Sequence, residues 1–223
     1  MDERLTQRQS YFEISKAAVL IDRKKRAKMI ANMSTPRGQT VVMGLIFLFV
    51  FTAYLMIQGY ASKIYGDTLA SNMALTLYAF FTVFCFVAPA ITNKLGCRLT
   101  MMLGVVGYGA LVASSLAYFN SDTLDWLVII GGALCGVGAA LLWTAQGRLI
   151  LSYSDGTNGG ELFALFWGIF NGSALIGGVL TYAYYAKSNS KGSEVLYIIF
   201  LAAIFGGAFM CLLLRNPRLG MQL

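Results

Sequence analysis

The sequence contains no histidine. That removes the commonest metal ligand and the side chain most used to move protons near neutral pH, and with it any Ser-His or Cys-His nucleophilic pair. Charge is almost as scarce: 12% of the 223 residues are Asp, Glu, Lys or Arg, against about 25% in a soluble globular domain. The four cysteines, Cys85, Cys97, Cys135 and Cys211, form no CxxC pair, and three of them lie inside apolar stretches. Neither a disulfide framework nor a metal site is expected, no cofactor is implied, and the chain does not read as an enzyme.

What charge there is sits at the ends and between long uncharged runs. Nine of the 17 Lys and Arg lie in the first 37 residues, with Arg23-Lys24-Lys25-Arg26 the densest run. A basic balance of this kind, on a chain 57% apolar, reads as flanks facing anionic lipid headgroups and not as a nucleic-acid surface. Residues 1–38 form a polar, basic tail ending in the helix breakers Pro36 and Gly38, in which Tyr11, Ile14, Ala18 and Ile21 recur at helical spacing. Residues 11–28 therefore suit either a helix on the inner membrane surface or a solvated tail. The order of a cleavable signal peptide is absent.

Six apolar stretches follow, at Val41–Ala61, Met73–Ile91, Leu99–Phe119, Trp126–Tyr153, Leu162–Ala186 and Val195–Leu214. Each is near the ~20 residues a helix needs to cross a hydrocarbon core about 30 Å thick. Lipid leaves backbone N–H and C=O groups no outside partner, so the stretches are expected to be helices. The expected architecture is an all-α membrane protein: a basic tail (1–38), a six-helix domain (39–214) and a short tail (215–223). Basic residues favour the amino tail, the second loop (Lys94, Arg98), the end of the fourth span (Arg148) and the carboxyl tail (Arg215, Arg218). By the positive-inside tendency both termini are cytoplasmic.

In lipid, small residues that let backbones approach are the main source of helix–helix contact. Gly132 with Gly136 and Gly168 with Gly172 make GxxxG pairs and are expected packing faces. Gly104, Gly107 and Gly109 crowd the third span, and Gly206 and Gly207 the sixth. Pro89, in the last turn of the second, is expected to bend it. The polar residues inside the spans are few: Gln58, Thr144, Gln146, Asn171 and Ser173, with Tyr54 and Trp143 beside the two glutamines. An amide at that depth either bonds a neighbouring helix or lines a wet path. No Asp, Glu or Lys lies mid-span, which argues against a proton site.

The corner Pro89-Ala-Ile-Thr-Asn93-Lys94-Leu-Gly96-Cys-Arg98 resembles the cytoplasmic signature of the major facilitator superfamily. Asn93, Lys94, Gly96 and Arg98 match it, and Pro89 stands where a glycine is usual. The run Leu-Trp143-Thr144-Ala145-Gln146-Gly147, followed by Ser154-Asp155 and Phe166-Trp167, resembles the uncoordinated-93-like family, a divergent branch of that superfamily described as ion channel regulatory or transporter-like proteins. The likeness runs from about Gly38 to Arg215-Asn216-Pro217 and covers one six-helix half of a twelve-helix protein.

The resemblance implies two inverted three-helix repeats. An aromatic residue followed by Gln-Gly recurs at Tyr54/Gln58-Gly59 and Trp143/Gln146-Gly147. It implies two functional readings. In one, Tyr54, Gln58, Trp143, Gln146 and Asn171 meet a small solute in a carrier half that rocks against a second half, a copy of itself or another chain. In the other, the chain is a non-transporting regulatory subunit that docks on another membrane protein.

Overall fold

A computed structural model describes residues 33–121, 123–185 and 194–215. The expected surface helix over 11–28 and the carboxyl tail beyond Arg215 lie outside them. The elements are α1 (Pro36–Tyr65), α2 (Asp67–Leu95), α3 (Cys97–Asn120), α4 (Asp125–Tyr153), α5 (Gly159–Tyr185) and α6 (Glu194–Met210), closed by a 3-10 turn, Cys211–Leu213. All six helices are long and apolar enough to cross a membrane, and among the described residues there is no strand.

The helices begin and end where local chemistry dictates. Pro36 initiates α1 instead of breaking it. Its missing N–H would have had no intrahelical partner in the first turn, and the Thr35 side chain caps the turn by accepting from the Gly38 N–H at 3.1 Å. At the α2–α3 corner Gly96 has φ 79° and ψ 158°, a conformation closed to residues with a Cβ. Its N–H donates to the Thr92 carbonyl at 2.9 Å to end one helix. Its carbonyl accepts from the Thr100 N–H at 3.2 Å to start the next. Helix α2 runs without interruption through Pro89 to Leu95.

Helix pairing shows the internal repeat. α1 packs on α5 and α6; α4 packs on α2 and α3; α3 packs on α6. Exchanging α1 with α4, α2 with α5 and α3 with α6 turns these pairings into one another, which is the arrangement of two inverted three-helix repeats in a major-facilitator half. The core lies between α1, α3 and α4, around Met43, Ile46, Phe47, Met101 and Leu142, all fully buried. Helix α2 is the least buried span and α5 the next; Leu75 and Phe86 on α2 and Leu175 and Tyr182 on α5 are strongly exposed.

Glycines set the closest approaches, selectively. A Cβ on Gly132 would lie 2.9 Å from the Met73 carbonyl oxygen, and one on Gly136 would collide with the Leu77 carbonyl, so α4 meets the α2 backbone through that pair. Between α3 and α4, a Cβ on Gly104 would stand 2.8 Å from the Gly138 oxygen, and one on Gly107 2.7 Å from the Gly138 Cα. The second GxxxG pair behaves differently. Gly168 has open space around it, and Gly172 meets only the Leu48 Cδ1 at an ordinary 3.4 Å. On the α1–α5 face the tight position is Gly44, where a Cβ would come 2.9 Å from the Ile169 Cβ.

Candidate functional site

Helical spacing puts Phe47, Phe51, Tyr54 and Gln58 along one stripe of α1, and Phe163, Phe166, Trp167 and Phe170 along one stripe of α5. Tyr108 of α3 and Trp143 of α4 complete an aromatic layer across the bundle. Trp143 lies 5.0 Å from Phe47 and 5.6 Å from Phe51, both near edge-on, and 5.5 Å from Phe170 and 6.0 Å from Trp167. Toward the other end, Phe51 meets Tyr108 at 5.1 Å and Tyr54 meets Tyr108 at 5.3 Å. Each such pair is worth about 0.5–1.5 kcal/mol beyond burial, so the layer is held by its own ring contacts and needs no ligand to exist.

Three buried polar atoms around this layer have no hydrogen-bond partner: Gln58 Oε1, Gln146 Nε2 and Trp167 Nε1. Gln146 is only 4% exposed. A buried polar group left unpaired costs about 1–3 kcal/mol, so these atoms, unlike the rings, have no structural account within the described residues. They fall on two levels. Gln58 is seven residues beyond Phe51, roughly 10 Å along α1. Gln146 is three residues beyond Trp143 in the opposite direction, because α4 runs antiparallel to α1, a displacement of about 4.5 Å. The aromatic layer therefore separates the two amides.

Of the residues expected along a solute path, Tyr54 and Trp143 belong to this layer, and Gln58 and Gln146 flank it on opposite sides. Asn171 sits on the exposed face of α5, where its Nδ2 donates to the Trp167 carbonyl at 2.7 Å. Thr144 is half-buried, and the Ser173 hydroxyl donates to the Phe170 carbonyl at 2.6 Å within α5. Gly59 and Gly147 have open space around them. Among the described residues no group of three or more His, Cys, Asp or Glu gathers, and the four cysteines are free.

The corner residues occupy the end of the bundle that carries Met33 and Arg215, here the tail end. Asn93 Oδ1 accepts a hydrogen bond from Arg148 Nη1, tying the end of α2 to the end of α4. Lys94 is exposed in the last turn of α2, where a cation suits the carbonyl end of the helix. Arg98 is half-buried in the first turn of α3, the helix that packs on the Cys211–Leu213 turn.

Sequence reasoning passed over Gln39 and Tyr153. Gln39 is 3% exposed. Its Nε2 donates to the Met33 carbonyl at 2.6 Å, and its Oε1 accepts from the Arg215 N–H at 2.7 Å. The Tyr153 hydroxyl donates to the Arg215 carbonyl at 2.7 Å. In sequence, Gln39 is one polar residue at the edge of an apolar run, the usual look of an interfacial position. Only its bond to Arg215, 176 residues further along the chain, distinguishes it. The α4–α5 turn is closed by Asp155, whose Oδ1 accepts from the Thr157 N–H at 3.0 Å, the Thr157 hydroxyl at 2.8 Å and the Asn158 N–H at 3.1 Å. These donors, the Thr157 hydroxyl foremost, hold its carboxyl below the ordinary carboxylate range.

Comparison with known proteins agrees with this architecture. The family described as ion channel regulatory protein UNC-93 matches residues 70–222. The chain is 33% identical over 182 residues to UNC93-like protein 1 of Arabidopsis thaliana, covering 80% of this chain and 39% of that protein. It is 27% identical over 189 residues to UNC93-like protein MFSD11 of Xenopus tropicalis, covering 80% and 41%. It is 30% identical over 166 residues to protein unc-93 homolog A of Bos taurus, covering 69% and 35%. The chain thus spans about two fifths of the length of these relatives.

Proposed function

The chain belongs to the UNC-93 family of multi-pass membrane proteins, and on that footing we propose that it is the carrier-like half of a facilitator, moving a small solute by alternating access. The observation that carries this reading is the set of buried, unpartnered polar atoms on α1, α4 and α5, Gln58 Oε1, Gln146 Nε2 and Trp167 Nε1, placed on either side of the aromatic layer. Polar atoms at that depth are stable when water or a solute reaches them. In the proposed machine the layer is the barrier, and Tyr54, Gln58, Trp143 and Gln146 belong to the path. Asn171 borders it from α5.

Alternating access needs a second body to rock against. The strongly exposed apolar faces of α2 and α5 suit a second six-helix half, supplied by a copy of this chain or by another membrane protein. Both termini are cytoplasmic in this reading, because Arg37, Lys94, Arg98, Arg148 and Arg215 all belong to the tail end.

A second reading, a regulatory subunit docked on another membrane protein, is favoured by the lack of Asp, Glu or Lys mid-span and by the family's description as ion channel regulatory. The two differ in whether water enters the bundle. Hydroxyl-radical footprinting of the protein in lipid vesicles should oxidise Trp143 and Trp167 well above Tyr197, which is 1% exposed in the core. Protection of both tryptophans to the level of Tyr197 rules out the carrier and leaves the regulator.

A further inference from the structure

We infer that the tail-side station beside Trp143 takes a neutral, flat solute bearing a hydrogen-bond acceptor such as a carbonyl, and that it rejects organic cations. The inference rests on the carrier reading and adds the chemistry of its solute.

An aromatic site as such points the other way. Trp143, Trp167, Phe166 and Phe170 present π faces and edges within 4.9–6.5 Å of one another or of Phe47, and π faces attract cations. What decides the sign is the pair of unpartnered atoms. Trp167 Nε1 carries a hydrogen and has no lone pair to offer, so it is a donor only. Its ring is 6.0 Å from that of Trp143. The Gln146 amide, one turn along α4 from Trp143, adds N–H donors through its unpartnered Nε2. The donor-only indole N–H of Trp167 is satisfied by an acceptor and never by a cation, and the Gln146 amide, which carries N–H donors as well as an oxygen, can complement the same acceptor.

Full negative charge is disfavoured for a separate reason. The nearest basic side chain along α4, Arg148, already donates to Asn93 at the exposed tail end. A carboxylate taken out of water needs a paired cation, and none stands at the aromatic layer, since the spans hold no other Lys or Arg there. An uncharged carbonyl on a planar body meets both demands: the ring packs on Trp143 and the oxygen accepts from Gln146 and Trp167.

Three probes with one body and different charge test this: N,N-dimethylbenzamide, benzoate and benzyltrimethylammonium. Each is titrated against the full chain carrying Trp126→Phe in lipid nanodiscs, so that tryptophan emission reports Trp143 and Trp167 alone. The expected result is a saturable change with the amide in the millimolar range. Binding should weaken about fivefold in Gln146→Leu and again in Trp167→Phe, the loss of about one hydrogen bond each. Benzoate and benzyltrimethylammonium should give no saturable change. The Gln146→Leu chain should also melt no lower than its parent, because the amide it removes has no partner to lose among the described residues.

Equal or tighter binding of the cation overturns the inference. So does amide binding unchanged in both variants, and so does the lack of saturable binding by any probe. If oxidative footprinting reaches Trp143 and Trp167 while the amide fails to bind, the solute class falls and the carrier stands. If the tryptophans are protected, the carrier itself falls.

Discussion

Arg148, at the end of α4, donates through Nη1 to the side-chain oxygen of Asn93 at the end of α2, so the corner that resembles the facilitator signature is bonded to the helix that carries Trp143 and Gln146. Both side chains are exposed, which bounds what the bond is worth. Asn93→Ala should cost about 0.5–1.5 kcal/mol. Asn93→Asp should recover that and gain up to about 1 kcal/mol at low salt. Thermal melting in detergent at low and high salt checks this: the Asp variant's gain should shrink as salt screens it.

Glycine positions that look alike in sequence should respond oppositely. Gly136→Ala sets a methyl against the Leu77 carbonyl of α2 and should destabilise by about 1–3 kcal/mol, the range of overpacking. Gly168→Ala meets open space and should be neutral or stabilising by up to about 1 kcal/mol through helix propensity. Denaturant titration of the two variants in mixed micelles would show the difference; a larger loss at Gly168 than at Gly136 would contradict the helix pairing.

Gln39→Leu removes the acceptor of the Arg215 N–H and the donor to the Met33 carbonyl. The expected loss is about 1–3 kcal/mol, with a local signature: trypsin should cut after Arg215 several times faster than in the parent chain. Tyr153→Phe, which removes one bond to the Arg215 carbonyl, should give a smaller change in the same direction.

The α4–α5 turn should loosen in acid. Asp155 has a folded pKa below its ordinary value of 3.8, so its contribution is fully present above that value and is lost as pH falls through the lower, folded one. Hydrogen exchange at the Thr157 and Asn158 amides should accelerate on acidification below about pH 4 relative to intrinsic rates. Asp155→Asn should flatten that dependence.

The number of spans and the corner at Gly96 were legible in the sequence for a local reason. Run length sets whether a segment crosses a membrane, and only glycine accepts the φ of 79° that joins α2 to α3. The likeness of Tyr54/Gln58 to Trp143/Gln146 anticipated the repeat that helix pairing displays. Pro36 was the local misreading: a residue that breaks helix interiors starts one when it stands at the first position.

What the sequence determined alone is that six apolar rods exist and shelter their own amides, because that depends on composition along one segment at a time. Which faces meet was decided by tertiary structure. A span apolar around its whole circumference does not mark a buried side, so Gly136 pressing on α2 and Gly168 facing open space are equivalent until the helices pair. The same holds for the amides. Gln39 reaches Arg215 across the chain and Gln146 finds no partner among the described residues, and only the packing of α1, α4 and α5 separates an amide that holds the ends together from one left unpaired.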